Sequence, residues 1–277
     1  MTIQEALEQG TKLLGDASVP APRLNAEVLL AHALQRERAF LYAHASDRLG
    51  PIGWIHFGRY LHERLEGKPT QYITHRQEFL GREFRVTPAV LIPRPETEHL
   101  AEAALKVIRP DMTVLDVGTG SGAIAVTLAL ETRACVIATD ISVDALAVAA
   151  ENARRMGATV AFAAADLIAA FADHSIDVLV SNPPYVPRLD EHSLQREVRE
   201  YEPHVALFAG DTGLEMYERL IADAPRALRP GAHIFFELGF SQAEAVTQML
   251  RDPGWTGVQL IPDLAGIPRV LAARWMP

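Results

Sequence analysis

The apolar run Ile176-Asp177-Val178-Leu179-Val180 leads straight into Ser181-Asn182-Pro183-Pro184-Tyr185-Val186. Four of these residues suit one chemical task. A planar NH2 group is a poor nucleophile because its lone pair is delocalised. A pocket can help by accepting hydrogen bonds from both of its N–H groups. The side-chain oxygen of Asn182 can accept one, and the backbone carbonyl of Pro183 the other. Pro183 and Pro184 have a fixed φ, which holds those acceptors in place before a ligand arrives. The Tyr185 ring can lie flat on a planar group. The plainer alternative is a rigid turn that ends a strand.

A second cluster lies upstream, at Asp116-Val117-Gly118-Thr119-Gly120-Ser121-Gly122, between an apolar run and a helix-like stretch. Glycines there let the backbone turn tightly and approach a ligand closely. By spelling, Gly118, Gly120 and Ala123 fit the dinucleotide-binding pattern. Asp140 ends the next apolar run, about 20 residues on, where a carboxylate can accept hydrogen bonds from both hydroxyls of a ribose. Loop and acid together indicate a ligand containing adenosine without choosing which one. Their structural alternative is a tight strand-to-helix turn and a helix N-cap.

These clusters need a scaffold, and the periodicity supplies one. Short apolar runs at TVLDV (113–117), CVIATD (135–140), TVAFAA (159–164), DVLVSN (177–182) and AHIFFEL (232–238) read as buried strands, with weaker ones at GVQLI and RVLAARW. Helix-like stretches such as GAIAVTLALE and SVDALAVAAENARRMG separate them. Strands alternating with helices imply an α/β fold with a largely parallel sheet covered on both faces. Ligands of such sheets bind beyond the carboxyl ends of the strands, so Asn182 is expected to face the ligand of the glycine loop.

Residues 1–70 read as a small helical bundle. Thr2 and Glu5 spell a capping box, and Gly15 is a plausible stop. Leu24, Val28 and Ala31 recur at helical spacing, as do Trp54, Phe57, Leu61 and Leu65. Residues 71–92 read as a hairpin linker, with Phe79, Phe84 and Val86 around Gly81. Residues 93–277 read as the α/β domain. The acidic stretch RLDEHSLQREVREYE is expected to be a solvated helix, and Arg94 with Glu96 a salt-bridged turn or a functional pair.

Composition removes several classes. The 26 Lys and Arg stand against 35 Asp and Glu, a net charge of −9, which argues against tight non-specific binding to nucleic acid. The single cysteine, Cys135, excludes an internal disulfide and is expected to be a buried strand thiol. MTIQEALEQG has no apolar core, so no signal peptide is expected. No run approaches the length of a membrane span, and a cytoplasmic location is expected. The ten histidines show no paired spacing, so no metal site is expected.

Asp-x-Gly-x-Gly-x-Gly over Asp116–Gly122 resembles the first motif of class I S-adenosylmethionine-dependent methyltransferases, whose loop cradles the methionine part of the cofactor. The resemblance implies a Rossmann-like, mostly parallel seven-stranded sheet, and contacts to adenine from Asp166 and the backbone of Leu167. That family often has an aromatic where Leu167 stands, so stacking is not implied here. Asn-Pro-Pro-Tyr after the fourth strand is similar to the signature of methyltransferases that act on planar nitrogens. LIPRPETEHL, VLDVGTGSGAIA, SNPPYV, REYEPHVALFAGDTGLEMY and FELGF together resemble the protein-(glutamine-N5) methyltransferases, closest to those acting on peptide chain release factors. The resemblance covers nearly the whole chain. It implies methyl transfer from S-adenosylmethionine, leaving S-adenosylhomocysteine, to the glutamine of a Gly-Gly-Gln motif. It implies cofactor contacts by Gly118, Thr119, Gly120, Ser121, Gly122, Asp140 and Asn182. Substrate contacts fall to Asn182, Pro183, Pro184 and Tyr185, of which Asn182, Pro183 and Tyr185 are the catalytic expectation. It also implies that the helical domain helps hold the release factor. Methylation of a ribosomal protein glutamine, adenine N6 or guanine N2 is the nearest alternative. An NAD-dependent oxidoreductase would leave Asn182-Pro183-Pro184-Tyr185 unused, and a non-catalytic adaptor would leave the glycine loop unused.

Overall fold

The computed structural model describes residues 1–277 and divides into two compact units, Met1–Arg76 with Gln195–Tyr201, and Gln77–Leu194 with Glu202–Pro277. The first unit is helical: α1 (Ile3–Asp16), α2 (Pro22–Leu34), α3 (Arg38–Ala43), α4 (Pro51–Leu65) and the short α5 (Thr70–Thr74). The capping box forms as spelled. The Thr2 hydroxyl accepts from the Glu5 amide at 3.1 Å, and the Glu5 carboxylate accepts from the Thr2 amide at 2.8 Å. Phe57 and Leu61 of α4 are buried, while Trp54 and Leu65 pack at the edge of the same core. The buried face of α2 differs from the expected one. Ala26, Leu29, Leu30 and Ala33 lie inside with the expected Ala31, whereas Val28 is only partly buried and Leu24 is 46% exposed. The helix is apolar on several sides, so spacing alone does not pick the inner stripe.

The second unit opens with a hairpin, β1 (Arg76–Phe79) and β2 (Arg82–Arg85). Leu80 and Gly81 turn it with φ of 46° and 71°, the positive values that a tight two-residue hairpin turn requires. The chain continues through α6 (Pro95–Leu105), β3 (Thr113–Val117), α7 (Ala123–Glu131), β4 (Cys135–Asp140), α8 (Val143–Met156), β5 (Ala161–Ala164) and β6 (Ile176–Ser181). After a 3-10 turn (Arg188–Ser193) come α9 (Arg196–Tyr201), α10 (His204–Leu207), α11 (Glu215–Ala227), β7 (Leu228–Glu237), α12 (Ala243–Met249), β8 (Trp255–Pro262) and β9 (Pro268–Trp275).

The large sheet has seven strands in the order β5-β4-β3-β6-β7-β9-β8. The first five run parallel, and β9 pairs antiparallel with both neighbours. Alternate residues feed opposite faces. Val178 and Val180 of β6 join one hydrophobic core and Leu179 the other, while Ile176 joins Leu179's core because the β6–β7 register shifts between Ile176 and Val178. The strand order reverses direction between β3 and β6, so a crevice opens beyond their carboxyl ends.

Three expectations fail locally. Cys135 is exposed, because it is the first residue of β4 and lies at the strand's outer end. The third strand begins at Ala161 and is mostly exposed, because it is the sheet's edge and pairs only with β4. The acidic stretch is two short helices with no buried residues rather than one, broken at Leu194, whose ψ of 145° is extended. The second of these, α9, belongs to the helical unit, where the buried guanidinium of Arg64 pairs with Glu197. The Tyr201 hydroxyl donates to the Glu66 carbonyl at 3.1 Å. No helix is long and apolar enough to cross a membrane.

Candidate active site

Parallel register sets the site. Val117 of β3 pairs with Thr139 of β4 on one side and Ser181 of β6 on the other. The residues just beyond, Gly118, Asp140 and Asn182, therefore emerge side by side. A cavity of ≈ 190 Å³ opens there. Gly118, Gly120, Asp140, Asp166, Leu167, Asn182 and Pro184 line it, with Ala89–Leu91, Ile141, Ser142, Met216 and Arg219.

The loop keeps its shape from within. The Gly118 and Thr119 amides both donate to the Thr139 carbonyl, at 2.8 and 2.9 Å. Gly118 and Gly120 have φ of 72° and 55°, a region that side chains rarely adopt. A Cβ built on either would meet no atom within 4 Å. Their bare faces thus form an open cradle on the cavity. Asp140 stiffens its rim: one carboxylate oxygen accepts from the Gly120 amide and the other from the Ser142 amide, each at 2.9 Å. The cap of α8 is Ser142, which accepts from the Ala145 amide, so Asp140 does not serve as that cap.

Other residues of the expected set turn elsewhere. The Thr119 hydroxyl donates to Asp116 at 2.6 Å. Ser121 is buried, and Gly122 caps α7. Asp166 lines the cavity but ion-pairs with Arg219 at 2.7 Å. Pro183 and Tyr185 are not among the lining residues. The Tyr185 ring is half-buried on the second core, against Gly239, and burial pushes its phenol pKa up.

Two buried acids stand out. Asp116 is 0% exposed, and its Oδ2 accepts from Thr119 and from the Ala125 amide at 3.2 Å, while Oδ1 has no partner. Burial raises its pKa to about 7 against those two hydrogen bonds, and the Asp140 charge adds to the rise. Glu237, at the end of β7, is 2% exposed, and its Oε2 has no partner. Burial raises it to about 7 as well, opposed by the Thr97 hydroxyl and by Arg269 and Arg94, with Glu96 adding to the rise.

Some supporting residues have partners that the sequence does not disclose. Asn152 of α8 donates to the Ser121 and Arg85 carbonyls, each at 2.9 Å, so it ties the loop to the hairpin. Gln242 donates to the Tyr185 and Gly213 carbonyls at 3.0 and 3.2 Å, which fixes the backbone after Pro184. Thr97 accepts from Asn182 Nδ2 at 3.2 Å. Arg94 pairs with Glu202 at 2.5 Å rather than with Glu96.

The seven-stranded β5-β4-β3-β6-β7-β9-β8 sheet, with a crevice at its reversal point, has the fold of the class I S-adenosylmethionine-dependent methyltransferases. The fold agrees with solved structures. A methyltransferase from Pyrococcus furiosus matches 72% of this chain and 91% of its own at a TM-score of 0.54 and 18% identity. A ribosomal protein L11 methylase from Lactobacillus delbrueckii subsp. bulgaricus matches 73% and 89% at 0.51 and 22%. The Methyltransferase small domain family matches residues 97–199, and the PrmC N-terminal domain matches residues 5–74. The release factor glutamine methyltransferase of Koribacter versatilis is 44% identical over 99% of both chains. That of Bordetella pertussis is 45% identical over 93% of this chain and 96% of its own. The chain belongs to the release factor glutamine methyltransferase family.

Proposed function

We propose that this protein transfers a methyl group from S-adenosylmethionine to the side-chain amide nitrogen of the glutamine in the Gly-Gly-Gln motif of peptide chain release factors. The observation that carries the reading is Asn182 at the carboxyl end of β6, lining the same cavity as Gly118, Gly120 and Asp140. The residues suit the cofactor. The bare glycine faces leave room for a ligand held against backbone, and the unpartnered Asp116 Oδ1 beside them can take a donor. When bound, the cofactor supplies a methyl on a sulfonium, a carbon open to in-line displacement by a neutral nucleophile.

Asp140 would hold the ribose hydroxyls through the lone pairs left free by its two amide contacts. Asp166 and Leu167 would border the adenine. Asn182 Oδ1 and the Pro183 carbonyl would accept the two N–H groups of the glutamine amide, and Tyr185 would flank it. This is catalysis by alignment, which needs no strong base at the nitrogen and can lower a barrier by several kcal/mol. Residues 1–70 would hold the protein substrate, in the cytoplasm where release factors act.

The test is transfer of labelled methyl from S-adenosylmethionine to a purified release factor. Label on the factor, lost in Asn182→Ala, is expected. Label on nucleic acid or ribosomal protein instead, with the factor unlabelled, would overturn the reading.

A further inference from the structure

A glutamine that enters the site brings its own chain with it. The two glycines of Gly-Gly-Gln offer no side chain to be recognised. An extended chain advances about 3.5 Å per residue, so the residue before those glycines lies about 10 Å from the glutamine. Recognition of the protein must therefore fall on the surface around Asn182-Pro183-Pro184-Tyr185. Part of that surface is built from three loops of the sheet unit, at 185–189, 210–214 and 239–242.

One side chain joins the three loops. Gln242 Nε2 donates to the Tyr185 carbonyl at 3.0 Å and to the Gly213 carbonyl at 3.2 Å, while its Oε1 accepts from the Gly239 amide at 3.1 Å. The Arg188 amide adds a bond to the Gly210 carbonyl at 3.0 Å. Two glycines let the loops close up. A Cβ on Gly213 would collide with the Tyr185 carbonyl oxygen and stand 3.0 Å from Pro187 Cδ. One on Gly239 would stand 2.8 Å from Tyr185 Cδ2. Neither place has room for a side chain, so the loops meet in one platform around Tyr185. That platform presents apolar groups to solvent. Phe240, the residue after Gly239, is 72% exposed, and Leu189, two residues after Pro187, is 81% exposed. A single exposed apolar residue is ordinary. Here two stand on loops that meet at the tyrosine proposed to flank the substrate amide.

We infer that Phe240 and Leu189 form a docking surface on the sheet unit for the release-factor chain that flanks the target glutamine, receiving apolar side chains next to the Gly-Gly-Gln motif. The inference rests on the methyl transfer proposed above. Covalent continuity singles out the occupant. A chain cannot place its glutamine between Asn182 and Tyr185 without running over the residues beside Tyr185. The platform is held by its own hydrogen bonds before the substrate arrives, so little ordering is left to pay on binding. An aromatic side chain on such a surface is a common anchor of protein contacts. The cavity then reads the amide, while the platform supplies affinity for the protein that carries it. Contacts far from the reacting nitrogen act alike before and during methyl transfer, so their loss appears in KM and not in kcat.

The test uses the full chain, S-adenosylmethionine and two substrates. One is a purified release factor. The other is a capped Gly-Gly-Gln tripeptide, which ends at its own glycines. Wild type, Phe240→Ala, Leu189→Ser and Asn182→Ala are compared for kcat and KM, with cofactor affinity by calorimetry and folding by Tm. Both platform side chains are exposed, so these variants are expected to fold. Phe240→Ala should raise KM for the release factor about tenfold and Leu189→Ser about threefold, the scale of a central and a lesser interface residue. Turnover number and cofactor affinity should not change, and neither constant should move for the tripeptide. An unchanged KM for the factor in Phe240→Ala would overturn the inference. Equal losses on the factor and the tripeptide would overturn it too, since the substitution would then act on the cavity itself. If the tripeptide turns over too slowly to follow, the factor alone decides: a fall in kcat with KM unmoved counts against the platform. A wild type that leaves the factor unmethylated, or a fully active Asn182→Ala, would instead remove the underlying reading and the inference with it.

Discussion

The two units treat a buried carboxylate in opposite ways. In the helical unit Glu27 is 3% exposed and saturated. Arg23 donates to it at 2.7 Å, Arg38 at 2.8 Å and Tyr42 at 2.5 Å. Burial alone would raise its pKa, but these three donors outweigh burial and bring it down to about 2. In the sheet unit Asp116 and Glu237 are buried as deeply, yet each keeps one oxygen without a partner, and burial wins, raising both to about 7. The first arrangement is a finished structural network. The second leaves hydrogen-bonding capacity unspent in the unit that carries the cavity, the pattern expected where a fold gives up stability for function.

Breaking the site should have the largest effect. Asn182→Ala is expected to cut turnover by about 100-fold or more, since misalignment of a nucleophile is that costly, while calorimetry finds cofactor affinity largely kept. Breaking the network comes next. Glu27→Ala should cost about 2 kcal/mol in denaturant unfolding. That is below the range for a fully buried pair because Arg23 and Arg38 are half-exposed, and turnover per folded molecule should not change. Asp140→Ala should weaken cofactor binding about tenfold, the order of one good hydrogen-bonding group, with little change in Tm.

The pH dependence sharpens the comparison by its sign. Glu27 is depressed, so its contribution is complete above its unfolded value near 4.5 and is lost as pH falls toward 2. Asp116 is raised, so the fold binds its proton more tightly, and stability drops as pH rises from about 4 through 7. Asp116→Asn should therefore flatten that drop by roughly 2–3 kcal/mol between pH 5 and 8, since each pKa unit is worth about 1.4 kcal/mol. A denaturant series across pH reads both signs. Equal pH slopes in Glu27→Gln and Asp116→Asn would erase the distinction.

Much of this is readable from the chain because its chemistry is local. The Gly118–Gly122 loop, Asp140 and Asn182-Pro183-Pro184-Tyr185 each act within a few residues of a strand end, and the strand ends follow from apolar runs. The helix cap at Thr2 is local too. What stays hidden depends on partners far along the chain. Thr97 meets Asn182 across 85 residues, Asn152 meets Arg85 across 67, and Gln242 meets Tyr185 across 57. Burial departs from expectation where a strand end or a sheet edge decides it, as at Cys135 and in the strand at Ala161–Ala164. Leu24 departs from it because an apolar helix gives no contrast between its faces.

The most direct measurement is residue-level mass spectrometry of a release factor after incubation with this protein and S-adenosylmethionine. One added methyl on the Gly-Gly-Gln glutamine, absent with Asn182→Ala, is the predicted result. No methyl there, with cofactor bound and the factor folded, would contradict the account.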